Sequence, residues 1–154
     1  MLTLIAAALL QANGPSEPAP DCSYNYEAML ELDWQAFDQD LNGGWRPLSY
    51  RGCELEAAEL IRRWRYDKRE HQSVLYWHEG QLRATIGQTE EAVALLHLTY
   101  RAPEQDTGFG WNHYVSGTIA FLQRDRERIW SAIADLEEVP ARPTSTRASA
   151  GRPI

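Results

Sequence analysis

Positive charge is scarce in this chain: 15 Lys and Arg stand against 22 Asp and Glu, a net charge of -7. A nucleic-acid surface needs the opposite balance, so no nucleic-acid partner is expected. Long apolar runs are missing. The longest, Leu2 to Leu10, is broken only by Thr3 and is too short to span a bilayer. No stretch alternates apolar and polar residues as a half-buried strand would. Cysteine is limited to Cys22 and Cys53. What is present argues for a folded chain. Apolar residues make up 44% of 154, with six Trp and seven Tyr, enough for one domain with a core.

The apolar run ends at Leu10-Gln11-Ala12, a small-residue cleavage site, and Pro15, Pro18 and Pro20 follow. The arrangement reads as a secretory signal over 1–12 and an extended linker over 13–23, giving a periplasmic or secreted protein with no stable membrane span in the mature chain. Ala19-Pro20-Asp21 is a poor lipobox, so Cys22 is not read as a lipidation site. In an exported chain two cysteines suggest one disulfide, Cys22–Cys53; two unpaired buried thiols are the alternative.

Apolar spacing predicts six helices. Helix one covers about Tyr24 to Leu41 and stops at Asn42-Gly43-Gly44, after which Pro47 delays the next. The others cover about Glu54 to Tyr66, Glu70 to Ile86, Glu90 to Tyr100, Trp111 to Gln123 and Arg126 to Glu138. Thr89 and Asp125 are the expected caps of the fourth and sixth. PEQDTGFG reads as a linker, and Pro140 ends the helical domain, 24–140. The tail, 141–154, carries Arg142, Arg147 and Arg152, no acid, and Ile154 as its one large apolar residue; it reads as a disordered basic segment.

Within that domain Gly80 is followed by Gly87, Ala92 and Leu96 at seven, twelve and sixteen residues. Gly52, Ala57 and Ile61 stand 35 residues before Gly87, Ala92 and Leu96, and Gly117, Ile129, Ile133 and Pro140 stand 37 after Gly80, Ala92, Leu96 and Pro103. The spacing resembles a tetratricopeptide repeat. The resemblance implies an all-α fold of about three antiparallel helix pairs stacked as a short superhelix. Tyr76, Glu79, Arg83 and Thr99 depart from the residues the family favours there. Carrying the family's groove positions over from Gly80 selects Val74, Trp77, Gln81, Ala84 and Thr85; from Gly117 it selects Trp111, Tyr114, Thr118, Phe121 and Leu122. Trp77, Gln81, Trp111, Tyr114 and Thr118 are then the expected partner-binding groove. A second pattern, GWR, GC, WHEGQ and WNHYV, looks like small exported bacterial proteins, with no activity attached.

Motifs of chemistry are incomplete. Residues 38–43, DQDLNG, resemble the first half of a calcium-binding loop, but Pro47 interrupts it and Ser49 stands where a bidentate Glu belongs. His78-Glu79 begins like a zinc-protease helix, with Leu82 in place of the second His. His71, His78, His97 and His113 lack ligand spacing, so no metal site and no cofactor are expected. Gly108-Phe109-Gly110 lacks the third glycine and preceding strand of a dinucleotide fingerprint. Arg62, Arg63, Arg65, Lys68 and Arg69 form either a helix-end cluster complementing the dipole or an anion-binding patch. Asp33, Asp38, Glu79 and Asp106 offer carboxylates, but no nucleophile elbow accompanies them. The sequence therefore points to a non-catalytic module binding a protein or peptide. A small periplasmic hydrolase, or a calcium-responsive module through 38–43, is the alternative.

Overall fold

The computed structural model describes residues 18–106 and 108–140. The expected signal, 1–12, and tail, 141–154, lie outside them. Among the described residues the chain is all-α, with no strand. Seven α-helices follow in order: α1 Tyr26–Leu30, α2 Arg46–Tyr50, α3 Glu54–Lys68, α4 Ser73–Thr85, α5 Thr89–His97, α6 Trp111–Leu122 and α7 Arg126–Glu137. A π-helical turn, Gln35–Gln39, precedes α2, and a 3-10 turn, Pro103–Gln105, precedes α6. No helix of the described residues is long and apolar enough to cross a membrane.

Consecutive long helices pack on one another: α3 on α4, α4 on α5, α5 on α6 and α6 on α7. Glycine sets the closest approaches. A Cβ on Gly80 would sit 3.2 Å from Leu96 Cδ2 and 3.4 Å from the Ala92 carbonyl oxygen. A Cβ on Gly117 would sit 3.3 Å from Ala132 Cβ. The two glycines thus hold α4 to α5 and α6 to α7 in the same way. Gly87 ends α4 with φ +80°, a conformation that costs little without a Cβ.

The first expected helix is not one helix. Asn25 caps α1, its side chain accepting from the Ala28 amide, and α1 ends at Leu30. After a break, Asp33 accepts from the Ala36 amide and the π turn begins. The turn buries two adjacent side chains, Phe37 and Asp38. Phe37 stacks on Trp64 of α3 with ring centroids 4.2 Å apart. Pro47 does not delay the next helix; it lies in the first turn of α2, where a missing amide hydrogen is harmless. Thr89 is the first residue of α5 and not its cap, whereas Asp125 does cap α7, accepting from the Arg128 amide.

The N-terminal segment is fastened to α3 at several points. Cys22 and Cys53 form a disulfide with Cα atoms 5.5 Å apart. Trp64 donates to the Met29 carbonyl at 3.0 Å and Lys68 to the Leu30 carbonyl at 3.0 Å. The Tyr26 hydroxyl donates to Asp67 at 2.6 Å; burial, then this carboxylate, push its pKa up to about 12. Arg63 covers the Tyr26 ring. The basic cluster of α3 is therefore dispersed into contacts with its neighbours, with Arg62 paired to Glu59 and Arg65 turned inward.

Candidate functional site

Two polar centres are buried. In the first, Asp38 accepts from Trp45 Nε1 at 3.0 Å, lies 2.8 Å from His78 Nδ1, and accepts from Gln39 Nε2 at 2.6 Å. Arg46 donates to its backbone carbonyl. Burial raises the Asp38 pKa, but the His78 contact and the Trp45 and Gln39 donors outweigh it and hold the carboxyl below its ordinary value. With its oxygens committed inward, Asp38 is not part of an outward-facing oxygen ladder of the kind a calcium loop presents. Asp40 meanwhile accepts from the Asn42 amide. Asp38 fixes the His78 ring, and among the described residues that carboxylate is the ring's one hydrogen-bond partner. The pair links the π turn to α4.

In the second centre Glu79 accepts from Arg65 and, at 2.9 Å, from Arg83 Nε. Arg83 also donates to Glu59 and to Gln88, each at 2.7 Å. Burial lowers the Arg83 pKa, but Glu59 and Glu79 outweigh it and hold it above its ordinary value. Arg65 lies over the Tyr76 ring at 4.0 Å. Glu79 and Arg83, two of the departures from the repeat pattern, therefore compensate each other across one turn of α4.

The remaining histidines are spread apart. His71 contacts the Tyr76 hydroxyl, His97 the Tyr100 ring and His113 the Asp135 carboxylate. Asp33 caps a turn, and Asp106 accepts from the Trp111 and Asn112 amides at the start of α6. The four carboxylates singled out in the sequence thus do four local jobs and do not converge.

Aromatic side chains do converge. Trp77 of α4 lies 4.7 Å from Trp111 and 5.4 Å from Tyr114, both of α6. Trp77 is 6% exposed and Tyr114 43%, with Trp111 between them in exposure. Trp111 is fixed in place: Nε1 donates to the Thr99 carbonyl at 2.7 Å, and Arg101 lies over its ring at 5.0 Å. Phe109, 52% exposed, adds a ring 6.4 Å from Trp111 and 6.2 Å from Tyr114. In the sequence it belongs to the polar, glycine-containing stretch PEQDTGFG, which reads as a linker. Gln81 is exposed one turn beyond Trp77 on α4. The Thr118 hydroxyl donates to the Tyr114 carbonyl and is already used.

Tyr114 also forms one wall of a cleft of about 290 Å³ between α6 and α7. Gly117 and Thr118 line it from α6; Ile129, Ala132, Ile133 and Leu136 line it from α7. Gly117 is also where a Cβ would press on Ala132 of α7, and none of the lining residues is a carboxylate. Phe121 continues the α6 side one turn beyond Gly117 and is exposed. A second cleft, near Ser23, Asn42 and Arg51, is more polar. Compared with protein-family models, curated proteins and solved structures, the chain gives no match, so its site is read from geometry alone.

Proposed function

We propose that this is a non-catalytic, exported binding module. Two of its helix pairs, α4 with α5 and α6 with α7, stack in the manner of a short tetratricopeptide-like superhelix, and α3 with the short N-terminal elements takes the place of a first pair. Its binding face runs from Phe109 and Tyr114 into the α6–α7 cleft. One observation carries the reading: the exposed Tyr114 ring packs on Trp77 and Trp111 and also lines an apolar cleft. Rigid aromatics of this kind give contact area at little cost in rotamer entropy, and they concentrate at binding hot spots. The equivalent positions of Gly80 and Gly117 at their helix contacts support the stacked-pair reading. The Cys22–Cys53 disulfide fits an oxidising compartment.

The partner this face suits is a protein or peptide offering a large apolar side chain. N-acetyl-tryptophanamide is a minimal probe of it. Titrated into the protein, it should shift the amide resonances of Tyr114, Gly117, Thr118 and Ile133, with a Kd on the order of 1 mM for a ligand so small. Thr118→Arg should remove these shifts at unchanged melting temperature. Shifts scattered over the surface, or none at all, would contradict the proposal.

A further inference from the structure

We infer that the cleft is the docking site for a second copy of this chain, seated through the outer face of α7; the inference rests on the cleft being a binding face. Arg126, Trp130, Ile133 and Glu137 follow one another at four, three and four residues and so form one stripe along α7. The stripe is exposed throughout, with Trp130 at 59% and Ile133 at 38%. Its ends are basic and acidic, and its middle is apolar.

This order is self-complementary. Arg126 lies four residues before Trp130, and Glu137 lies four after Ile133. A two-fold axis across the middle of α7 that sets Trp130 against Ile133 of a second copy therefore sets Arg126 against Glu137 of that copy. Each contact occurs twice, as an isologous interface requires. The charges have no other employment: among the described residues neither Arg126 nor Glu137 has an ion-pair partner. They also stand at the wrong ends for an isolated helix. The last turn of α7 carries Glu137 and no basic residue, and its first turn carries Arg126, both unfavourable with the helix dipole. An antiparallel copy reverses both penalties.

The cleft supplies the hole for the knob. Ile133 belongs both to the stripe and to the cleft wall, so Trp130 of the second copy arrives at the cleft mouth. A volume of about 290 Å³ has room for one indole ring. Residues 141–154 offer only Ile154 as a large apolar side chain, a poor match to this cleft. A contact made by one 12-residue helix and its cleft falls at the small end of specific interfaces, so the dimer should dissociate in the micromolar range.

Sedimentation equilibrium of the oxidised protein tests this. The wild type should dimerise with a Kd on the order of 10–100 µM, and Trp130→Ala should weaken it by at least about 30-fold. Arg126→Glu and Glu137→Arg, at exposed sites where the fold should survive, should each be monomeric alone. Mixed in equal amounts they should form a heterodimer, and the double variant should dimerise with itself. A wild type still monomeric at several hundred micromolar, or single charge reversals that dimerise like wild type, would overturn the inference. In the monomeric case the N-acetyl-tryptophanamide titration separates the two claims: shifts at the cleft leave a binding face with a different partner, and no shifts remove the binding face as well.

Discussion

Replacing Glu79 with leucine removes the one carboxylate that Arg65 reaches. Leucine is the residue favoured at this position in the tetratricopeptide pattern that the spacing resembles. All three members of the network are buried, at 1% exposure for Glu79, 3% for Arg65 and 7% for Arg83. After the change Arg83 keeps Glu59 and Gln88, but Arg65 keeps aromatic rings, chiefly that of Tyr76, and no carboxylate. An uncompensated buried charge costs about 3–5 kcal/mol, which should lower the urea midpoint by about 2 M. Removing both buried partners should be far milder. Glu79→Leu with Arg65→Met should cost about 0–2 kcal/mol, because the carboxylate and its orphaned cation leave together. Equilibrium urea denaturation of the four proteins gives the coupling energy, expected at about 2 kcal/mol or more. A Glu79→Leu protein within about 1 kcal/mol of wild type, or additive single costs, would refute the reasoning.

Three further perturbations test separate parts of the fold. The disulfide closes a loop with a sequence separation of 31, so Cys22→Ala with Cys53→Ala should cost about 3.5–4 kcal/mol in the chain-entropy model, read by urea denaturation; a loss under about 1 kcal/mol would show that the N-terminal segment is held by its other contacts. Gly44 and Gly87 both have positive φ, but a Cβ on Gly44 would lie 1.8 Å from the Phe37 carbonyl oxygen while one on Gly87 meets nothing within 4 Å. Gly87→Ala should therefore lose about 1 kcal/mol and Gly44→Ala clearly more, by thermal melting; equal losses would mean that the π turn yields easily. Asp38 titrates below its ordinary value in the folded state, so its contribution to stability is full above the unfolded carboxylate pKa and is lost as pH falls through the folded one. Asp38→Asn should flatten the acid limb of stability against pH, and an unchanged limb would assign acid sensitivity to other carboxylates.

The long helices were legible because their apolar spacing is local and their punctuation is chemical. Gly87 takes positive φ at the end of α4, and Asp125 caps α7, each from its own residue type. The N-terminal third was not legible. Tyr26, Met29, Leu30, Phe37 and Leu41 share a helical period, yet Leu41 is exposed and Phe37 is buried through a π turn. That turn is fixed by contacts with Trp64 and His78, 27 and 40 residues away in the chain. The same holds for Glu79, whose burial depends on Arg65, fourteen residues earlier and on another helix. At the candidate site the sequence pointed to Trp77, Trp111 and Tyr114, which the fold brings into one cluster. It gave no sign of the cleft, because its walls come from two helices and depend on how α6 and α7 pack.

The most direct test of the binding face is site-specific photocrosslinking. A benzoylphenylalanine at Thr118, in the cleft, or at Phe121 beside it, should give ultraviolet-dependent protein adducts under native conditions. The same residue at Arg62, exposed on α3 away from the cleft, should give none. Adducts from Arg62 with none from Thr118 or Phe121 would contradict the assignment of binding to this face.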